Sequence, residues 1–397
     1  MDTPLVRCVV GLALLAAAAP LGGCGRGAGD AAVVVEFWAM GAEGERVKPL
    51  VAEFERSHPG IRIHLQQIPW NAAHEKLLTA FAGDTLPDVC QLGNTWLAEF
   101  AALDALADLT ERVAGSATIA PEDFFPGVWQ SNVLDDRAFG IPWYVDTRVL
   151  FYRTDLLAAA GHDRPPGSWD QWRTMLRDLQ RQMATSGGRR AERFPILLPI
   201  NEFEQPIILG LQTGADLLKE GGRYGNFSGP EFRRAFEFYL SLFDDGFAQR
   251  TSNTRISNVW QEFERGTFAM YVTGPWNVQE FRARLGPELE DRWATAPWPS
   301  PDGDGIGASN AGGCSLVLFQ QSPRQDAAWQ FVEFMTGRDQ QVEMFRHTSN
   351  LPARRDAWEP SGLIDDPKYR AFHEQLANVR ATPQAPEWEQ IVTGELV

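Results

Sequence analysis

Trp276 closes the segment RGTFAMYVTGPW, Arg265 to Trp276, in which an apolar run from Phe268 to Val272 ends in a turn forced by Gly274 and Pro275. Apolar runs of this length bounded by Gly and Pro read as buried strands. In open α/β sheets, ligands lie beyond the carboxyl ends of strands. Trp276 is therefore either a platform for a ligand or a core anchor beneath a loop. Two other strand ends offer polar and aromatic groups. Glu43 lies in the Gly-rich turn after the first strand, and Asn94, Thr95 and Trp96 follow the strand that opens at Asp88. Bland roles compete with binding at each: a helix-start carboxylate for Glu43 and an N-cap for Asn94. A covalent chemistry is suggested only by FPILLPINE, Phe194 to Glu202, a strand ending in Asn-Glu. Retaining glycosidases place a general acid in such a pair, but they need a second Glu and a (β/α)8 barrel, whose regular units are not visible here. No GxSxG, HExxH or GxxxxGK[ST] occurs, and GDGIG (Gly303 to Gly307) lacks the flanking strand and helix of a phosphate loop. The six His are scattered with no metal-ligand spacing, so neither a metal nor a cofactor is expected.

The bulk composition narrows the partners. The chain has 397 residues, enough for two or three domain-sized units, and a net charge of −16. That sign repels nucleic acid and anionic lipid surfaces and suits neutral or cationic ligands. Arg7 precedes the apolar run Val9 to Leu21, which is too short and Ala-rich for a stable transmembrane helix. The run ends in LGGC, so residues 1–23 read as a lipoprotein signal peptide with Cys24 as the lipidated residue, and 24–30 as a flexible tether. Simple cleavage after Ala19 is the rival, disfavoured by Pro20 directly behind it. Cys8 falls in the signal segment. Cys90 and Cys314 each sit in an apolar strand-like run and read as core residues, with a disulfide open only if their strands are neighbours.

The elements that hold these positions alternate. AVVVEFWAM (Ala31 to Met40) is a strand; Val47, Leu50, Val51 and Phe54 mark a helix face; Ile61, Ile63 and Leu65 a second strand. Leu77, Leu78 and Phe81 mark a second helix stopped by Gly83, and Asp88 to Leu92 a third strand. This order implies a mainly parallel sheet with covering helices. Further on, Ser168 with Gln171 forms a capping box. Phe232, Ala235, Phe236, Tyr239, Leu240 and Phe243 make the strongest amphipathic helix, between Pro230 and Gly246. Ala327, Ala328, Phe331, Val332 and Met335 define another. The fold class is α/β.

Several blocks resemble one family in the same order. The Pro87-Asp88-Val89 strand, YVDTRVLFYRTDLL (Tyr144 to Leu157), FEQPIILGLQTGADLL (Phe203 to Leu218), GTFAMYVTGPW, AGGCSLVLF (Ala311 to Phe319) and LPARRDAW (Leu351 to Trp358) are similar to the family-1 extracellular solute-binding proteins, the sugar receptors of ABC importers, and most to the trehalose/maltose-binding type. The resemblance covers nearly all of residues 33 to 390. It implies a periplasmic-binding-protein-like fold of two α/β lobes with the ligand between them. The first lobe would hold 31–143 with 299–320, the second 148–296 with 323–397. Crossings would lie near 143–147, near 297 and near 320–323. Related chains usually run on past a segment like EWEQI (Glu387 to Ile391), which leaves the packing of the second lobe's outer face open.

The resemblance also implies roles. A sugar needs carboxylates and amides for its hydroxyls and aromatic rings for its C–H faces. Glu43, Asn94, Trp96, Tyr144 and Asp146 are the implied contacts from the strand ends, with Trp276 as stacking platform. Asn94 stands where related chains often carry an acid. Gly312 and Gly313 would let the backbone approach the sugar, Arg355 (with Arg354 as rival) would reach in from the second lobe, and Trp298 would face the cleft from the second crossing. The implied protein is a monomeric, non-enzymatic receptor, exported to the periplasm or cell envelope and tied to the membrane only through Cys24. Its partners would be a disaccharide or oligosaccharide and the ABC permease. A secreted glycosidase using Glu202, and a receptor for a non-sugar solute such as a polyamine, are the alternatives.

Overall fold

The computed structural model describes residues 32–185, 193–252, 255–256 and 258–395. The signal segment, the tether and Cys24 lie outside the described residues. Apolar, β-branched runs become strands: β1 (Val33–Met40), β2 (Ile61–Ile68), β3 (Val89–Gly93), β4 (Ile141–Asp146), β5 (Val149–Arg153), β6 (Phe194–Leu197), β7 (Phe268–Thr273), β8 (Trp293–Ala296), β9 (Gly312–Leu318) and β10 (Leu351–Pro352). The helices that matter to the site and its support are α1 (Glu43–Arg46), α2 (Lys48–Ser57), α3 (Trp70–Ala82), α4 (Leu97–Ala102), α5 (Trp169–Thr185), α6 (Glu204–Gln212), α7 (Pro230–Asp244), α8 (Trp276–Arg284), α9 (Gln325–Met335), α10 (Arg338–Thr348) and α11 (Pro367–Leu376).

Local chemistry sets several boundaries. Pro69 is the N-cap of α3, Pro230 opens α7, and Asp366 caps α11 by accepting from the Lys368 amide. Ser168 Oγ accepts from the Gln171 amide at 3.2 Å, half of the expected capping box. The Gln171 side chain returns to the Gly167 amide rather than to that of Ser168. In α7 the buried face is Phe232, Ala235, Phe238, Tyr239, Leu242 and Phe243, while Phe236 is exposed. The stripe is thus rotated slightly from the expected one.

Two separate sheets form. The first runs β10–β4–β9–β3–β1–β2, with β1 parallel to β2 and β3, and β9 antiparallel to β3 and β4. The second runs β8–β5–β7–β6, with β7 parallel to β6 and antiparallel to β5. Phe331 of α9 sets its ring 5.1 Å from Phe37 of β1 and 5.1 Å from Phe54 of α2, closing the first lobe's core. Trp169 of α5 stacks on Phe238 of α7 at 4.2 Å in the second lobe. The fold is the two-lobed α/β arrangement.

The chain leaves the first sheet after Asp146 and enters the second at Val149, so one crossing is two residues long, with Thr147 fully buried. It returns between Ala296 and Gly312. The third crossing differs from the expectation of a switch at 320–323. Helix α9 packs on the first lobe, and Leu351–Pro352 extends the first sheet beside β4. Residues 325–352 therefore belong with the first lobe, and the chain crosses only before α11, which packs on β8. An amphipathic helix carries a buried stripe but no mark of which sheet it covers. Among the described residues, no helix is long and apolar enough to cross a membrane.

Candidate functional site

The carboxyl ends of β1, β2 and β3 point at a cleft of about 430 Å³ between the lobes. The first lobe supplies Glu43 at the start of α1, Trp70 at the start of α3, Asn94 to Trp96 after β3, Tyr144 and Asp146 of β4, and Gly312 and Gly313 of β9. Across from them stand Glu204, the first residue of α6, and Trp276, the first residue of α8. Arg148 enters from the crossing itself.

The aromatic wall of the first lobe is held from behind. Trp70 and Trp96 meet edge to face at 5.9 Å, and His74 lies 5.1 Å from Trp96 while bonded to Glu99 at 2.6 Å. Gly41 has φ +59°, and a Cβ there would come within 2.6 Å of the Trp70 ring. Only glycine both adopts that turn and leaves the indole room.

The charged groups form one network. Arg148 Nη1 donates to Asp146 Oδ1 at 3.1 Å and Nη2 donates to Glu204 Oε1 at 2.6 Å. Its guanidinium also lies 4.6 Å from the centroid of the Trp276 ring. Burial pushes the Asp146 carboxyl above its ordinary range, with Glu204 adding to the rise and Arg148 opposing it. Burial works to lower the Arg148 value, but Glu204 and Asp146 outweigh it and the guanidinium stays charged. Glu43 accepts from Asn350 Nδ2 at 2.7 Å. Burial, then the nearby Cys314, Glu43 and Asp146, raise Tyr144 well above the usual phenol value. Its hydroxyl is thus a neutral group, accepting from Gln91 Nε2 at 3.1 Å.

Asn94 is fastened rather than free: Nδ2 donates to Ser131 Oγ at 3.1 Å and Oδ1 accepts from Ser315 Oγ at 3.0 Å. The two glycines of β9 are required by close approach. A Cβ on Gly312 would lie 2.3 Å from Asp146 Oδ1, and one on Gly313, at φ +118°, would lie 2.4 Å from the Tyr144 carbonyl. Carboxylates, amides, a guanidinium and indoles in one groove can pair hydroxyls and stack on C–H faces. The Cys314 thiol in the wall is pushed up to about 12 by burial, which leaves it protonated and inert. Cys90 and Cys314 lie on the adjacent strands β3 and β9 but out of register, and both are free thiols. Among the described residues, no group of His, Cys, Asp and Glu is arranged to hold a metal.

The family model described as bacterial extracellular solute-binding protein matches residues 40–342. The chain belongs to this family. This solute-binding protein is similar in structure to the sugar-binding protein MalE from the phytopathogen Xanthomonas citri, with a TM-score of 0.86, 47% identity, and coverage of 91% of this chain and 89% of that one. It is 30% identical over 345 residues to a probable ABC transporter-binding protein of Deinococcus radiodurans, covering 82% of this chain and 77% of the relative. It is 24% identical to the diacetylchitobiose binding protein DasA of Streptomyces coelicolor, covering 86% and 77% of the two chains. The matched family is one of extracellular solute-binding proteins, and the relatives named above are binding proteins, one of them of an ABC transporter.

Eight of the residues expected in the site of this solute-binding protein converge on the cleft: Glu43, Asn94, Trp96, Tyr144, Asp146, Trp276, Gly312 and Gly313. Two do not. Trp298 is 1% exposed, donates from Nε1 to the Arg148 carbonyl at 2.9 Å, and packs edge-on to Trp172 at 5.7 Å. It stiffens the crossing from inside. Arg355 donates to the Glu122 carbonyl and lies away from the cleft lining. Its rival Arg354 is buried on Asp356, Asp123 and the Thr118 carbonyl. Trp70, Arg148, Glu204 and Asn350 are among the cleft-lining residues that the sequence did not single out. Trp70 carries the same signal as Trp276: a strand, a proline, then an indole. Glu202 accepts from Gln205 and is not part of the cleft wall.

Proposed function

We propose that this receptor captures a neutral disaccharide or longer sugar, of the trehalose or maltose kind, by closing its lobes over the ligand and then docking on an ABC permease. The carrying observation is that indoles from both lobes, Trp70 and Trp96 on one side and Trp276 on the other, share one cleft with Glu43, Asp146 and Glu204. A pyranose stacked between them would use its hydroxyls on the carboxylates. Contacts from both sides exist together only in the closed form, so the ligand shifts the population toward closure. The relatives, the sugar-binding protein MalE and a diacetylchitobiose binding protein, support a sugar. The chain would act as an exported monomer, anchored by lipid at Cys24. A micromolar affinity corresponds to about −8 kcal/mol, within reach of several charge-assisted hydroxyl bonds and two stacked faces.

Two open sheets of six and four strands replace the closed barrel that a glycosidase using Glu202 would need. Asp146 and Glu204 are already paired with Arg148, which leaves fewer carboxylates of the cleft for a polycationic guest. Titration of intrinsic Trp fluorescence with maltose, trehalose and sucrose tests the reading. A saturable change with at least one of them is expected, and silence for all three contradicts it.

A further inference from the structure

Trp96 stands directly before α4 and lines the cleft. Two residues of α3 close on its ring. Trp70 and His74 are four positions apart, so they share one face of that helix. Trp70 meets the Trp96 ring at 5.9 Å and itself lines the cleft. His74 meets it at 5.1 Å and is absent from the cleft wall. His74 thus touches the indole without reaching the guest.

His74 has little freedom to turn. Its Nε2 is bonded to Glu99 Oε2 at 2.6 Å, and its ring stands edge-on to Phe100 at 6.2 Å. A carboxylate only accepts, so Nε2 carries the hydrogen. Glu99 belongs to α4, so the bond ties α3 to α4 beside the indole. Both side chains are largely covered, at 25% and 14% exposure. Packing against Trp96 and the buried Phe100 needs only an apolar side chain at position 74. A His–Glu pair there costs desolvation, and what it adds is a fixed orientation.

From this geometry we infer that His74 is a positioning residue for sugar binding: held by Glu99, it fixes the Trp96 indole at the angle at which the first-lobe wall stacks on a pyranose. The inference rests on the sugar-receptor reading and adds to it a residue that touches no sugar. An indole already held in place loses little rotamer freedom when the guest arrives, so the pair acts on affinity through preorganisation.

A double-mutant cycle tests it, read by calorimetric titration of the whole exported chain with maltose and with trehalose. His74→Ala should raise the Kd about tenfold, and Glu99→Ala about as much. His74→Gln, whose amide can donate to Glu99 in place of Nε2, should recover most of that loss. In a Trp96→Leu background, which removes the ring and keeps an apolar side chain in its place, His74→Ala should change the Kd by less than about twofold. An unchanged Kd in His74→Ala, or the same fold loss with and without the Trp96 ring, overturns the inference and leaves the receptor reading intact. If Trp96→Leu neither folds nor binds, the Gln variant decides: recovery supports the positioning role, and a loss as large as that of Ala overturns it. No heat with either sugar from the unaltered chain removes both.

Discussion

The guanidinium of Arg148 lies 4.6 Å from the Trp276 ring centroid while gripping Asp146 on one side and Glu204 on the other. A strand end of the first lobe, a helix start of the second and the exposed indole of Trp276 are thus fastened by one side chain on the crossing. A sugar that stacks on Trp276 must share that ring with Arg148.

Trp276→Ala should weaken sugar binding by about 2 kcal/mol, roughly thirtyfold in Kd, the loss typical of an aromatic anchor. The side chain is nearly half exposed, so the thermal midpoint should hardly move. Calorimetric titration beside a thermal melt separates the two effects. A large fall in the midpoint with an unchanged Kd would make Trp276 a structural residue.

Arg148→Met removes the cation from between two carboxylates. Breaking a buried pair this way costs about 3 kcal/mol. The loss should depend on pH. Burial, with Glu204, already holds the folded Asp146 carboxyl above its ordinary value, and Arg148 opposes that rise. A carboxyl with a raised folded pKa binds its proton more tightly when native, so its contribution to stability falls as pH climbs from the ordinary carboxylate range through the folded value. Without Arg148 that value climbs further. The deficit of the variant should therefore be largest near pH 7 and shrink toward about pH 4.5. Denaturant melts at both pH values check this; a deficit independent of pH would mean that Asp146 is not the group concerned.

Gly313→Ala should cost at least about 2 kcal/mol, because alanine is strained at φ +118° and its Cβ would collide with the Tyr144 carbonyl. Sugar affinity should fall too, since the push lands on the strand that carries Asp146. Equal stability and affinity in the variant would remove the close-approach role of this glycine.

Much of the cleft wall was legible because strand ends are legible. Gly274-Pro275 marks the end of β7, the Gly-rich turn marks the end of β1, and Glu43 and Trp276 follow directly. Trp298 was not, because nearness to a crossing in the chain says nothing of which side an indole faces; its N–H found a backbone carbonyl inside. Arg355 rested on resemblance alone, with no local pattern to orient it. The lobe assignment of α9 failed for a related reason: its apolar stripe fits either sheet, and only the tertiary contact of Phe331 with Phe37 decides. Glu204 was hidden inside FEQPIILGLQTGADLL, a segment that carried the resemblance but no local pattern marking its first helical residue as part of a cleft.

The most direct test of the central claim is a crystal structure of the exported chain grown with maltose or trehalose in saturating amount. The density should show a pyranose ring between Trp276 and the Trp70–Trp96 wall, with hydroxyls on Glu43 and Asp146 and the lobes closed on it. Sugar bound elsewhere, or a cleft that stays empty at saturating sugar, would contradict it.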